Sequence, residues 1–155
     1  MASVVSRIVE VCVFRFTGAN VEYLMLKRAK DDLLYPGIWQ WVTGTIQEGE
    51  RSLDAALREF REETALLAER YWIVPHVTTF YEAVHDAVHL SPLIAIQVEH
   101  GVDPVLSSEH EAFAWVPFSE AKRRLVWPGQ RAGLELVNNF IVTGEEGANL
   151  LENTP

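Results

Sequence analysis

Gly44-Thr45-Ile46-Gln47-Glu48-Gly49-Glu50-Arg51-Ser52-Leu53-Asp54-Ala55-Ala56-Leu57-Arg58-Glu59-Phe60-Arg61-Glu62-Glu63-Thr64-Ala65-Leu66 begins as a polar turn and ends with a helical period. Leu53, Ala56, Leu57 and Phe60 recur at i, i+3, i+4 and i+7, the spacing that lines apolar side chains along one helix face. It predicts a helix over Ser52–Thr64. Ser52 is the candidate N-cap, since a serine hydroxyl can accept a free N–H of the first turn. At roughly 100° per residue, Glu62 falls about 60° to one side of Glu59 and Glu63 about 40° to the other. The three carboxylates therefore share a face beside the apolar one. Like charges at i,i+4 cost a few tenths of a kcal/mol per pair, about 0.2–0.5. Arg58 and Arg61 offset part of that. A hard divalent cation offsets more, because Mg²⁺ takes oxygen ligands and keeps waters for substrate phosphates. Glu50, one turn earlier, is a candidate fourth carboxylate. Taken alone, the helix also fits a solvated Glu/Arg face.

Working outward, the chain on either side reads mainly as strands. Val4–Phe16 is rich in β-branched and aromatic residues, Thr17-Gly18-Ala19-Asn20 is turn-like, and Val21–Lys27 is the returning strand. Lys30–Gly37 reads as a loop. Trp39–Thr43 is a short strand closed by Gly44. Beyond the helix, Tyr71–Tyr81 and His89–Glu99 read as strands, His100–Ser108 as a loop and Phe113–Val116 as a strand. Ser119–Leu125 reads as a short helix and Gln130–Val142 as a longer one, striped by Leu134, Val137 and Ile141. Strands, helix, strands, helices is the order of an α/β fold with a mixed sheet covered on both faces. Residues 1–143 make one domain. The polar residues 144–155 are expected to fray.

Composition narrows the function. A chain of 155 residues, 48% hydrophobic, can bury a core. A net charge of −9 argues against a nucleic-acid polymer as partner, which would call for a basic patch. It leaves room for a small phosphorylated substrate, since metal ions can sit between an acidic protein and an anion. No apolar run approaches the ~20 residues that span a bilayer. Arg7 and Glu10 interrupt any apolar leader segment. Cys12, the single cysteine, sits in an apolar alternation and reads as a buried, inert thiol. A cytoplasmic protein is the expectation.

Gly44, five residues, Glu50, seven residues, then Arg58-Glu59-Phe60-Arg61-Glu62-Glu63 resembles the Nudix box, Gly-x5-Glu-x7-Arg-Glu-U-x-Glu-Glu-x-Gly-U with U apolar. The apolar positions are Phe60 and Leu66. The family's second glycine is replaced by Ala65, at a position where glycine lets a helix end left-handed. The resemblance implies an α/β/α sandwich around a mixed sheet. It also implies a MutT-like hydrolase that uses Mg²⁺ or Mn²⁺ to act on nucleoside diphosphate derivatives. Glu59, Glu62 and Glu63 would be metal ligands, joined by the backbone carbonyl of Gly44, and Arg58 would orient the carboxylates, Glu59 above all. The general base would be Glu59 or Glu109. Many members are dimers, so a homodimer is among the expectations.

Trp39-Gln40-Trp41-Val42-Thr43-Gly44 is similar to the entry to the box in the branch that hydrolyses dihydroneopterin triphosphate or dATP. Leu24-Met25-Leu26-Lys27-Arg28, Glu109-His110 with Trp115, and Trp127 before Gln130-Arg131 fit the same branch. By that likeness Glu109 would be a further metal ligand, and Arg28 and Thr43 would contact substrate. Trp39, Trp41, Tyr81 and Trp127 are aromatic faces for stacking a base or pterin, or else packing residues. His110 adjoins Glu109 and has no role assigned. The implied products are pyrophosphate and a monophosphate. The alternatives are a dinucleoside polyphosphate or nucleotide sugar as substrate, or a ligand-binding module without catalysis. The last would be expected to lose box carboxylates, and Glu50, Glu59, Glu62 and Glu63 are all present.

Overall fold

The computed structural model describes residues 1–153. In chain order these form β1 (Ser3–Val5), β2 (Ile8–Thr17), β3 (Asn20–Arg28), β4 (Trp39–Gln40), β5 (Val42–Thr45), α1 (Ser52–Thr64), β6 (Arg70–Glu82), β7 (Ala87–Gln97), β8 (His110–Val116), α2 (Phe118–Arg124), α3 (Pro128–Leu136), a π-helical segment (Val137–Val142), α4 (Glu146–Asn149) and β9 (Glu152–Asn153). The sheet runs β4-β3-β2-β7-β6-β9, with β1 on β7, β5 on β2 and β8 on β3. β1 and β2 lie parallel to β7 and the other pairs are antiparallel, so the sheet is mixed, as expected.

The strand expected over Val4–Phe16 is interrupted at Ser6 and Arg7. Both pieces pair with β7, Val5 against His89 and Glu10 against Leu93, so the N-terminal chain takes one residue more than its partner over this span. From there β2 alternates strictly. Val9, Val11 and Val13 pack with Ala55, Ala56 and Phe60 of α1, while Cys12 and Phe14 pack with Leu134, Val137 and Ile141 on the other side. A strand buried on both faces reads as a continuous apolar run, which is what β2 shows. Burying Phe60 alone is worth about 1.5–3 kcal/mol. Burial also pushes the Cys12 thiol up, keeping it neutral.

Helix α3 sits unusually close to the sheet. A Cβ on Gly129 would lie 2.8 Å from Thr78 Cγ2, and one on Gly133 2.9 Å from Leu93 Cδ2. The helix expected over Gln130–Val142 starts two residues earlier, at Pro128, and finishes as the π-helical segment. The residues from Gly144, expected to fray, instead form α4 and β9. Ala148 is buried, Tyr71 and Trp72 of β6 pair with Asn153 and Glu152, and Arg70 grips Glu152 through two nitrogens at 2.6 Å. Their polar sequence is that of a short edge strand with one apolar anchor. Residues 154–155, part of the same expectation, lie outside the described residues. No helix among the described residues is long and apolar enough to cross a membrane.

Candidate active site

Helix α1 starts without the serine cap expected of Ser52. Ser52 is already helical, and extended Arg51 is the N-cap, with no side-chain cap bond. Glu50 closes the entry instead. Its carboxylate accepts the Gln47 N–H at 2.9 Å and a fork of Arg58 Nε and Nη2 at 2.8 and 2.9 Å. Forked guanidinium–carboxylate pairs fix orientation as well as charge. Arg58, helped by the Gln47 N–H, holds the Glu50 carboxyl down to about 2. Both Glu50 oxygens are thus engaged, so Glu50 anchors Arg58 rather than adding a fourth free carboxylate. The same guanidinium donates to Glu59 Oε1 at 2.9 Å, Glu62 Oε2 at 3.3 Å and the Thr45 carbonyl at 3.0 Å.

Glu59 lies across Gly44. A Cβ at Gly44 would stand 2.1 Å from Glu59 Cγ and 2.6 Å from its Oε1. This glycine is needed for space, since its φ is not left-handed. At the far end, Ala65 takes φ 56° and ψ 14° and donates to the Arg61 carbonyl. The helix therefore ends left-handed, with an alanine bearing a cost of about 1–2 kcal/mol. Thr64 secures the exit, its hydroxyl donating to the Phe60 carbonyl at 2.6 Å and accepting the Leu66 N–H at 3.1 Å.

The three helix carboxylates fan out. Glu59 points at Gly44. Glu62 is exposed on the outer flank beside Arg58. Glu63 turns inward and is 2% exposed, and its Oε2 has no hydrogen-bond partner. Strand β8 completes the cluster. Ligand atoms of Glu63, Glu109 and His110 lie within 4.8 Å of one another, and His110 Nδ1 is 3.9 Å from Glu63 Oε2. Burial, with the neighbouring charges of Glu109 and Glu59, pushes the Glu63 carboxyl up to about 9. Burial and the charge of Arg28 bring His110 down to about 4, so its imidazole is neutral at pH 7. The Gln40 amide nitrogen lies 3.0 Å from His110 Nε2. An amide N–H only donates, so Nε2 accepts.

These residues suit a divalent cation. A buried carboxylate oxygen lacks a partner, a second carboxylate stands beside it, and Gly44 makes room for a third. Arg28 ends β3 directly opposite His110, bound to Asp32 at 2.5 Å, with its buried Nε unpartnered. His110 and Gln40 are the residues that sequence reasoning left without a role. Their only sequence signal was adjacency, His110 to Glu109 and Gln40 to the paired tryptophans.

The expected substrate contacts are less uniform. Trp41 is fully buried, its Nε1 donating to Glu10 at 2.7 Å, so it offers no face for stacking and the expectation that it binds substrate is corrected. It packs in the core on the α3 side of the sheet. Trp39 is half-buried beneath the Arg124 guanidinium, 4.3 Å above its ring. Thr43 is half-buried opposite Glu10. Tyr81 is exposed on β6, bonded to Asp86.

A mixed sheet between helical layers, with a glycine-spaced carboxylate helix at one end, defines a class of metal-dependent phosphoanhydride hydrolases. The NUDIX domain model matches residues 6–137, and the chain belongs to that family: it is a Nudix hydrolase. Among relatives, the octanoyltransferase of Myxococcus xanthus is 31% identical over 81% of this chain, which spans only 34% of that protein's length. The asymmetrical bis(5'-nucleosyl)-tetraphosphatase of Mus musculus is 28% identical over 82% of this chain and 85% of its own. The dihydroneopterin triphosphate diphosphatase of Escherichia coli is 38% identical over 41% of this chain and 39% of its own. The solved structure of the E. coli dihydroneopterin triphosphate pyrophosphohydrolase shares the fold, with a TM-score of 0.70 at 22% identity over 90% of this chain and 99% of that one.

Proposed function

We propose that this chain is a cation-dependent pyrophosphohydrolase of a nucleoside or pterin triphosphate, of the dATP or dihydroneopterin triphosphate kind, releasing pyrophosphate and a monophosphate. The observation that carries the reading is the unpartnered, buried Glu63 oxygen beside Glu109. Two carboxylates this close, one of them buried, call for a proton or a cation between them. Glu59, Glu63, Glu109 and the Gly44 carbonyl would hold Mg²⁺ or Mn²⁺, with Glu62 joining through its exposed carboxylate. The cation, when bound, neutralises phosphate oxygens and makes a bound water acidic.

The chain's own residues do the rest. Arg58 holds Glu59 in place, so Glu59 serves as a fixed ligand. Glu109, exposed and next to Glu63, is the proton acceptor for the attacking water. Arg28, held by Asp32, offers its charge to a phosphate oxygen. Thr43 and Trp39 are the further candidates for contact with the substrate.

The likeness to the tetraphosphatase over most of the chain favours a second reading, hydrolysis of a dinucleoside polyphosphate. A Mg²⁺-dependent screen of both classes, scored for pyrophosphate, separates them. Pyrophosphate from dATP or dihydroneopterin triphosphate is the expected result. Nucleotide products without pyrophosphate, formed only from a dinucleoside polyphosphate, would favour the second. Orthophosphate detection alone would miss the product.

A further inference from the structure

Two buried polar atoms of the carboxylate cluster face each other without a bond. His110 Nδ1 and Glu63 Oε2 each lack a hydrogen-bond partner, and they stand 3.9 Å apart. Both side chains are closed to solvent. An unpaired buried polar group costs about 1–3 kcal/mol, so two of them left face to face need a reason. The backbone fixes both ends. Glu63 lies in the last turn of α1, and His110 opens β8 directly opposite Arg28 of β3. Strands β4 and β8 both pair with β3, which brings the buried Gln40 amide to the far side of the His110 ring at 3.0 Å.

That contact sets the tautomer. The Gln40 N–H donates to Nε2, so in the neutral ring the proton is on Nδ1. A nitrogen that carries a proton has no lone pair for a cation. It is instead a donor facing an acceptor. Glu63 can take that N–H and still hold a cation, since a carboxylate offers about four lone-pair sites. The gap is about 1 Å longer than a hydrogen bond, and such bonds often tighten only in the working complex. Carboxylates that hold a metal are themselves held by a further donor, and losing that donor costs about 10–100-fold in metal affinity or activity. Glu59 has its donor in Arg58, at 2.9 Å. For Glu63 Oε2, the facing donor is His110.

Resting on the reading of Glu63 as a cation ligand, we infer that His110 is a positioning residue: Gln40 fixes its ring so that Nδ1–H bonds Glu63 Oε2 and turns that carboxylate to the cation, with His110 itself no ligand. The test uses the full chain without substrate. In the wild type at pH 7, ¹⁵N NMR should find the His110 proton on Nδ1 and Nε2 bare. Mn²⁺ binding, read by electron paramagnetic resonance, should weaken about tenfold or more in His110→Leu. His110→Asn, whose amide N–H stands near the Nδ1 position, should recover most of that loss. Gln40→Met should move the proton to Nε2 and weaken Mn²⁺ binding several-fold, and it decides the matter if circular dichroism shows His110→Leu unfolded. A proton on Nε2 in the wild type overturns the inference. So does a His110→Asn protein as weak as His110→Leu, which is the pattern of a lost ligand. Wild-type Mn²⁺ binding that all the variants leave unchanged overturns this inference alone, whereas a wild type that binds no Mn²⁺ overturns the cation reading with it. Triphosphate hydrolysis enters none of these measurements, so failure of the substrate reading would leave them intact.

Discussion

The two faces of the sheet treat buried polarity in opposite ways. On the α1 face, charge answers charge: Arg58 grips Glu50, Glu59 and Glu62, while Glu63 keeps a buried oxygen without a partner, beside Glu109. On the α3 face, the buried carboxylate of Glu10 is met by the neutral N–H groups of Trp41 and Gln130. The first arrangement suits a cation and phosphate oxygens, whose charge must be matched. The second keeps one buried charge in place with neutral donors.

The sharpest way to break this contrast is at Glu63. Glu63→Gln should lower kcat/KM about a thousandfold, roughly 4 kcal/mol, and weaken Mg²⁺ binding, as read by kinetics against metal concentration. An undiminished rate would sink the assignment of Glu63 as a ligand. Gly44→Ala comes next. Its Cβ would collide with Glu59, and a displacement of about 1 Å costs on the order of a hundredfold in rate. Circular dichroism should show the fold retained.

Titration gives a smaller but sign-specific effect. The Glu63 carboxyl is raised from 4.5 to about 9, so the metal-free fold binds its proton more tightly than the unfolded chain does. Its contribution to stability is complete below about pH 4.5 and is lost as pH rises through about 9. Mg²⁺ should therefore raise the thermal midpoint more at pH 8.5 than at pH 6. A shift independent of pH would mean that the cation binds elsewhere. The smallest effect is at the box's departure from its pattern. Ala65→Gly relieves a left-handed alanine and should stabilise the fold by about 1 kcal/mol, some 2–4 °C in midpoint for a chain of this size.

Much of the α1 face was legible beforehand. Helical period is local, so Leu53 to Phe60 fixed which side of Ser52–Thr64 is buried, and spacing alone aligned Glu59, Glu62 and Glu63. What spacing missed was their divergence: Glu62 turns to solvent while Glu63 is buried against β8. Glu50 looked like a spare carboxylate because its partner Arg58 is eight residues away, beyond any local pattern. The α3 face was barely legible. Trp41 looked like a ligand-stacking residue as readily as a core one.

The sequence by itself determined the helix and its apolar face, because both depend on neighbours within a turn or two, and the box spacing, whose resemblance to the Nudix family implied the reaction class. Tertiary structure alone decided that His110 closes on Glu63, that Trp41 is sealed against Glu10, and that the C-terminal residues add β9. Those contacts join residues far apart in the chain. They depend on strand register, where a slip of one residue sends every side chain to the opposite face.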